Sequence, residues 1–172
     1  MKVLVAEDEP DLLIQYRTIL EDNNHSVVTA EDGEVGISLY AQELDKLTPA
    51  DLQEEQNPFD VVILDYQMPK KNGLEVAKEI LTMCPKQRII FASAYVQETL
   101  VDSITSLKQI VELLQKPFTL QALIDTIEDK EIYAELEKLN VNIKNLKILN
   151  PTHAQIRDYL NALKQLQKGR TF

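Results

Sequence analysis

Short apolar runs alternate along the chain with segments in which apolar residues recur at helical spacing. Five runs rich in Val, Ile and Leu have the length and composition of buried β-strands, and they span residues 2–6, 26–30, 60–64, 88–92 and 111–114. Between them the periodicity is helical, and it predicts helices over residues 12–20, 33–44, 74–83 and 97–107, with another after Pro117. Strand and helix therefore alternate up to the region of Pro117.

The strand runs are too uniformly apolar for a sheet with one face in water. A parallel sheet that helices cover on both faces buries both sides of every strand. We therefore predict an α/β fold with a doubly wound five-stranded parallel sheet. In such folds ligands bind at the carboxyl ends of the strands, so the residues that follow each strand are the first candidates for function.

Two segments lie outside this alternation. Residues 45–58 lengthen the connection before the third strand, and Thr48 followed by Pro49 has the form of a helix start. The second segment is the tail, where apolar residues resume helical spacing over 132–139 and a break follows at Pro151. Thr152 and Gln155 then form a capping-box pair, which predicts a final amphipathic helix that ends at Gly169.

Composition excludes several classes of protein. The 172 residues are 44% hydrophobic and 27% charged, which suffices for a packed core and excludes a wholly disordered chain. A single cysteine, Cys84, excludes a disulfide framework and a cysteine-based zinc site. No apolar run reaches the roughly 18 residues of a membrane span, and Met1 leads directly into the first strand. We expect a soluble, cytoplasmic protein that has no membrane partner.

The formal net charge of −10 is unevenly distributed. Residues 1–118 hold ten basic and 21 acidic residues, whereas residues 119–172 hold eight and seven. This change in composition, together with a shift in helical phase near 128–131, predicts a first domain over 1–128 and a helical extension over 129–172. The acidity argues against indiscriminate binding to nucleic acid or anionic lipid.

Chemically active residues follow four of the predicted strands. Glu7 and Asp8 come after the first strand, Asp65 after the third, Ser93 after the fourth and Lys116 after the fifth. A doubly wound sheet brings these strand ends together. Carboxylates about 4 Å apart repel by roughly 4 kcal/mol at an effective dielectric near 20, so a cation has to neutralise them.

These residues suit a phosphoryl-accepting aspartate site. Carboxylate oxygens are ligands for Mg²⁺, a carboxylate can attack phosphorus to form an acyl phosphate, and a lysine ammonium is suited to a phosphoryl oxygen or a carboxylate. Taken singly, each residue has an ordinary alternative: acids after a strand are often solvated loop charges, and Asp11 could cap the first helix. The placement at four strand ends favours the functional interpretation.

The segments that carry this chemistry resemble the receiver domain of bacterial and archaeal two-component response regulators. The resemblance covers about residues 1–128 and rests on Val3–Pro10, Val61–Pro69, Asn72-Gly73, Phe91–Tyr95 and Gln115–Phe118. It implies a flavodoxin-like fold and a phosphoprotein of a phosphorelay. A sensor histidine kinase or a phosphotransfer protein would be one partner, and a downstream protein the other.

The resemblance also implies a role for each matching residue. Asp65 would be the phosphoacceptor. Asp8 would be a direct Mg²⁺ ligand, Glu7 would act largely through water, and the backbone carbonyl of Gln67 would complete the protein ligands together with Asp65. Ser93 would be the switch hydroxyl, and Lys116, before a cis peptide to Pro117, would contact the phosphoryl group.

One position departs from the family pattern. Three residues before Lys116 the family often has an aromatic switch residue, and here that residue is Leu113. Tyr95, two residues after Ser93, is an alternative aromatic for the switch, or only a surface ring. We therefore expect the phosphoryl-transfer chemistry of the family. The residue that transmits phosphorylation to the surface can differ from the family's aromatic switch residue.

The output is open between three interpretations. The protein can be a phosphorylation-controlled switch that binds a protein partner, a homodimer whose tail serves transcriptional control, or a regulator whose short basic tail contacts DNA. Six basic residues carry the last alternative: Lys144, Lys147, Arg157, Lys164, Lys168 and Arg170. Turnover of an external substrate is not expected, because the chemistry would be confined to the protein's own Asp65.

Overall fold

A five-stranded parallel sheet forms the centre of the fold in the computed structural model, which describes residues 1–94, 107, 111–129, 132–139 and 153–169. The strands are β1 (Lys2–Ala6), β2 (Ser26–Ala30), β3 (Val61–Asp65), β4 (Ile89–Ser93) and β5 (Val111–Gln115). Their order is β2-β1-β3-β4-β5, and every neighbouring pair is parallel. The predicted doubly wound sheet is confirmed. The crevice for a ligand lies where the strand order reverses, beside β1 and β3.

Sequence signals mark where the helices between the strands begin. Asp32 caps its helix by accepting a hydrogen bond from the Val35 amide, and Thr48 and Asn72 each form a capping box. The predicted helix start at Thr48 is thus confirmed. The helices are α1 (Pro10–Asp22), α2 (Gly33–Leu44), α3 (Pro49–Gln53) and α4 (Gly73–Met83).

Alternating strand residues build a core on one face of the sheet. Leu4 of β1 and Leu64 of β3 belong to the same buried cluster as Tyr40 of α2 and Ile80 of α4. Fully burying one such aliphatic side chain contributes about 1.5–3 kcal/mol. Residues between them in the strands, such as Ile63, are equally buried and point to the opposite face, because successive strand side chains alternate. The sheet that carries the strand-end residues is therefore buried on both sides.

The chain divides into two compact units, Met1–Leu120 and Gln121–Phe172. The second unit holds most of α5 (Leu120–Glu128), together with α6 (Ile132–Lys138) and α7 (His153–Lys168). Ile132 and Leu136 pack against Ile156 and Leu160 in a small apolar cluster. None of the described helices combines the length and the apolar character that crossing a membrane requires.

The predicted elements agree with the structure apart from small shifts. Strands β3 and β4 each begin and end one residue later than predicted, because backbone pairing includes the polar end residues: Asp65 pairs with Ala92, and Ser93 with Gln115. The final helix ends before Gly169, as predicted. The predicted helix over 97–107 and the cap at Thr152 lie outside the described residues, and the domain boundary after residue 128 stays a prediction.

Candidate functional site

Side chains from three strand ends meet at the carboxyl edge of the sheet. Ala6 of β1 pairs with Leu64 of β3, so Glu7 and Asp65, the residues that follow them, lie at the same level on adjacent strands. The Lys116 amide donates to the Ser93 carbonyl at 2.9 Å, which continues the pairing of β4 with β5 past the end of the strand. The parallel topology thus brings residues 109 positions apart in sequence into contact.

The three predicted carboxylates converge. One carboxylate oxygen from each of Glu7, Asp8 and Asp65 lies within 4.8 Å of the others. Glu7 and Asp65 are buried, whereas Asp8 is exposed, so one side of the cluster opens to water. Hard oxygen donors with room for water and phosphate oxygens are the coordination that Mg²⁺ prefers. The donor set fits this ion.

Lys116 bridges two of the carboxylates. Its Nζ lies 2.6 Å from Oε2 of Glu7 and 3.1 Å from Oδ1 of Asp65. The peptide bond from Lys116 to Pro117 is cis, as the family resemblance implies. One ammonium beside three carboxylates leaves an excess of negative charge, which favours a divalent cation.

Burial and charge shift the pKa values of these groups. Burial, with the neighbouring Asp65 charge, raises the pKa of Glu7 although Lys116 opposes it. Burial and the charge of Asp8 likewise raise the pKa of Asp65 against the effect of Lys116. Burial alone would lower the pKa of the Lys116 ammonium, but the hydrogen bond to Glu7 and the charge of Asp65 raise it above its ordinary value. Without a metal, the Glu7 and Asp65 carboxyls therefore hold protons more tightly than exposed carboxyls do.

The loop after β3 forms a hydrogen bond with the second carboxylate oxygen of Asp65. The Gln67 amide donates to Oδ2 at 3.2 Å, and the Gly73 amide donates to the Tyr66 carbonyl at 2.9 Å. A Cβ at Gly73 would lie 2.2 Å from the Asp65 carbonyl oxygen. Only glycine allows α4 to begin this close to the backbone of Asp65.

Other predicted residues lie near the cluster or outside the described residues. Ser93 is buried at the end of β4, and Leu113 is half-buried on β5 and packs against the core cluster. The Gln67 side chain is exposed, and its amide donates to Asp65. Tyr95 lies outside the described residues, and the roles predicted for all four residues stay predictions.

Sequence reasoning did not single out Tyr16, which lies beside the site. Its ring is buried and stacks on Phe118, with centroids 5.6 Å apart and planes 20° from parallel. Burial raises the pKa of Tyr16 to about 12, and the charges of Lys116, Glu7 and Asp65 also act on it. Its helical spacing with Leu12 and Leu20 signalled only an ordinary core residue.

Residues 3–128 match the family model of the response regulator receiver domain. Protein CcdB of Bacillus subtilis is 33% identical over 118 residues, which cover 68% of this chain and 86% of that protein. Chemotaxis protein CheY of Listeria monocytogenes is 28% identical over 130 residues, which cover 74% of this chain and 96% of that protein. Both alignments span most of the relative's own length.

Solved structures show the same fold. The response regulator protein TrrA from Thermotoga maritima, crystallised in complex with Mg²⁺–BeF, superposes with a TM-score of 0.56 and 26% identity. The superposition covers 74% of this chain and 96% of that protein.

Proposed function

The chain belongs to the response regulator receiver domain family, and from that premise we propose that it accepts a phosphoryl group on Asp65 from a histidine kinase or a phosphotransfer protein. The observation that carries the proposal is the convergence of Glu7, Asp8 and Asp65 beside the Lys116 ammonium. The resemblance to the family supports the proposal, because these residues lie in the segments that carry it.

Mg²⁺ is the proposed cofactor of this reaction. The carboxylates of Glu7, Asp8 and Asp65 would hold it together with the backbone carbonyl of Gln67, with Glu7 acting largely through water. When bound, the ion supplies positive charge that offsets the carboxylates and the oxygens of the transferring group. The crystallised TrrA complex contains Mg²⁺, and the donor set here fits the same ion.

Asp65 is the proposed nucleophile. One carboxylate oxygen forms a bond to phosphorus while the bond from phosphorus to the imidazole nitrogen of phosphohistidine breaks, and that nitrogen keeps the electron pair. The product is an acyl phosphate on Asp65. Lys116 and the Gln67 amide each hold one oxygen of the Asp65 carboxylate, so both fix its orientation before the reaction.

Phosphorylation would act on a protein partner through a shift between two conformations. Ser93 would donate its hydroxyl to the phosphoryl group, and Leu113 or Tyr95 would belong to the surface that changes. The protein itself would catalyse only the transfer to Asp65 and the hydrolysis from it. Its output is then binding, not turnover of an external substrate.

The described tail residues favour a protein partner over DNA. Arg157 pairs with Asp129 at 3.1 Å and Lys164 pairs with Glu135 at 2.7 Å, both within the second unit. DNA phosphates would have to compete with these carboxylates for the two basic side chains. A mobility shift of DNA that weakens with salt and disappears on removing residues 130–172 would support the DNA alternative instead.

Phosphoryl transfer to Asp65 is tested with a small-molecule phosphodonor. With Mg²⁺ present, we expect intact-mass spectrometry to show one added phosphoryl group on the wild type and none on Asp65→Asn, because an amide oxygen is a poor nucleophile. Chelating Mg²⁺ should abolish labelling of the wild type. Equal labelling of Asp65→Asn and the wild type would show that Asp65 is not the acceptor.

A further inference from the structure

A buried carboxylate on the neighbouring loop holds the connection between β3 and α4. Asp32, which follows β2, is 4% exposed and uses both of its oxygens. Oδ1 accepts from the Val35 amide at 2.8 Å and caps α2, and Oδ2 accepts from Nζ of Lys70 at 2.6 Å. We call the pair of Asp32 and Lys70 the loop anchor. It joins the start of α2 to residues 66–72.

The backbone on both sides of the loop anchor is unusual. Lys70 has a φ of 66°, a left-handed conformation that a residue with a side chain keeps only where its surroundings hold it. Next to it, a Cβ at Gly33 would lie 2.2 Å from the Lys71 carbonyl oxygen. The two loops therefore approach so closely that only glycine fits between them. The ion pair lies at a contact where the backbones themselves touch.

The anchored loop carries groups of the functional site. Within residues 66–72 the Gln67 amide donates to Asp65, and the Tyr66 carbonyl accepts from the Gly73 amide. The loop is thus fixed at its start by Asp65, at its end by Gly73 and in between by Asp32. Met68 of this loop also packs in the core cluster and Lys71 pairs with Glu79, so releasing the Asp32 attachment would loosen the backbone around Gln67 without freeing it.

We propose that Asp32 and Lys70 are positioning residues for the metal site: their ion pair holds the loop that carries the Gln67 backbone in place beside Asp65. The inference deepens the proposed function and rests on it. Partners that orient metal ligands typically contribute about 10–100-fold to metal affinity. Because the loop anchor acts through several residues, we expect an effect at the low end of that range.

The variant Lys70→Met distinguishes a positioning effect of Lys70 on Mg²⁺ binding from a purely electrostatic effect of its charge. Removing a positive charge from the loop would leave Mg²⁺ binding unchanged or strengthen it if charge alone mattered, whereas losing the loop anchor should weaken it about tenfold. Asp32→Asn complements this test, because asparagine remains a good N-cap for α2 but no longer pairs with an ammonium. It should weaken Mg²⁺ binding by a similar factor in a folded protein.

The measurement is a Mg²⁺ titration of the full chain followed by ¹H–¹⁵N NMR at the amides of Gln67 and Gly73. The double variant should bind Mg²⁺ about as weakly as either single variant, since both remove one interaction. Glu43→Gln is the matched control: like Asp32, Glu43 accepts from lysine side chains, here Lys2 and Lys46, but at the far end of α2. It should bind Mg²⁺ like the wild type.

Three outcomes would overturn the proposal. They are Mg²⁺ binding by Lys70→Met that equals or exceeds that of the wild type, single-variant losses that multiply in the double variant, and an equal loss in Glu43→Gln. Failure of the proposed function looks different: the wild type itself would show no Mg²⁺-dependent shift at Gln67 and no labelling by a phosphodonor.

Discussion

At the scale of single residues, the proton affinity of the acidic cluster is its most testable property. Burial and the charge of Asp8 raise the pKa of Asp65 above the ordinary value of 3.8. A carboxyl whose pKa is higher in the folded than in the unfolded chain binds protons more tightly when folded, so its ionisation opposes folding. This cost in folding free energy is absent at pH values below the ordinary pKa of Asp65. It is fully present at pH values above the raised pKa of the folded protein.

Asp65→Asn should therefore stabilise the metal-free protein at neutral pH. The variant removes the ionisable group while Lys116 keeps its contact with Glu7 at 2.6 Å. Urea denaturation at a series of pH values should show that the advantage of the variant fades as the pH falls towards 3.8. Saturating Mg²⁺ should reduce the stability advantage of Asp65→Asn over the wild type at neutral pH. An advantage that grows on acidification would contradict the raised pKa.

Sequence reasoning found residues at strand ends because their position alone made them candidates. Glu7, Asp65 and Lys116 each follow an apolar run, and the predicted topology requires those ends to meet. Tyr16 was not found because its helical spacing is that of any core aromatic. The pairing of Asp32 with Lys70 joins residues 38 positions apart on different loops, and nothing in the local pattern of either residue indicates the other.

At the scale of elements, the start of α4 controls the backbone of the proposed acceptor. Gly73 leaves no space for a side chain against the Asp65 carbonyl, whereas a Cβ at Gly36 would meet only Ala6 and Ala30 methyls at 3.6 and 3.8 Å. The two glycines lie in the first turns of α4 and α2. Gly73 contacts the backbone of Asp65 and Gly36 does not, so alanine substitutions at the two positions can be compared directly.

Gly73→Ala should displace Asp65, and Gly36→Ala should not. We expect Gly73→Ala to destabilise the fold by about 1–3 kcal/mol, as overpacking does, and to slow labelling by a phosphodonor strongly. Gly36→Ala should stabilise the fold by up to about 1 kcal/mol through helix propensity and label normally. Urea denaturation and intact-mass spectrometry measure the two effects. Normal labelling of Gly73→Ala would contradict the close approach.

The boundaries of the elements followed from sequence to within a residue where caps or apolar runs define them. The helix start at Thr48 was predictable because its capping box is local in sequence. The ends of β3 and β4 were placed one residue too early because side-chain polarity served as the signal, whereas ladder pairing extends to Asp65 and Ser93. Helix starts are therefore easier to predict than strand ends, because capping residues are local in sequence and strand pairing is not.

At the scale of the whole molecule, the role of the tail is a separate question from the chemistry of the receiver domain. The apolar cluster of Ile132, Leu136, Ile156 and Leu160 is internal to the second unit, so these residues are occupied by packing within it. Tyr159 and Leu166 of α7 are exposed, so the oligomeric state calls for a direct measurement. The charge asymmetry along the chain predicted a boundary between a domain over 1–128 and an extension over 129–172, which stays a prediction.

Light scattering tests the oligomeric alternative. With Mg²⁺ and beryllofluoride as the phosphoryl mimic, we expect the solution mass to stay that of one chain, 19.7 kDa. A doubling of mass that depends on the mimic would support the homodimer and its transcriptional role instead. Binding of the mimic is confirmed in the same samples by NMR shifts at Gln67.

Chemical trapping of the phosphorylated residue tests the central claim most directly. Borohydride reduces an acyl phosphate of aspartate to homoserine, so peptide mass spectrometry after reaction with a phosphodonor and Mg²⁺ identifies the acceptor in the unaltered chain. We predict conversion at position 65 that disappears when Mg²⁺ is chelated. Conversion at Asp8 or another carboxylate, with Asp65 intact, would contradict the account.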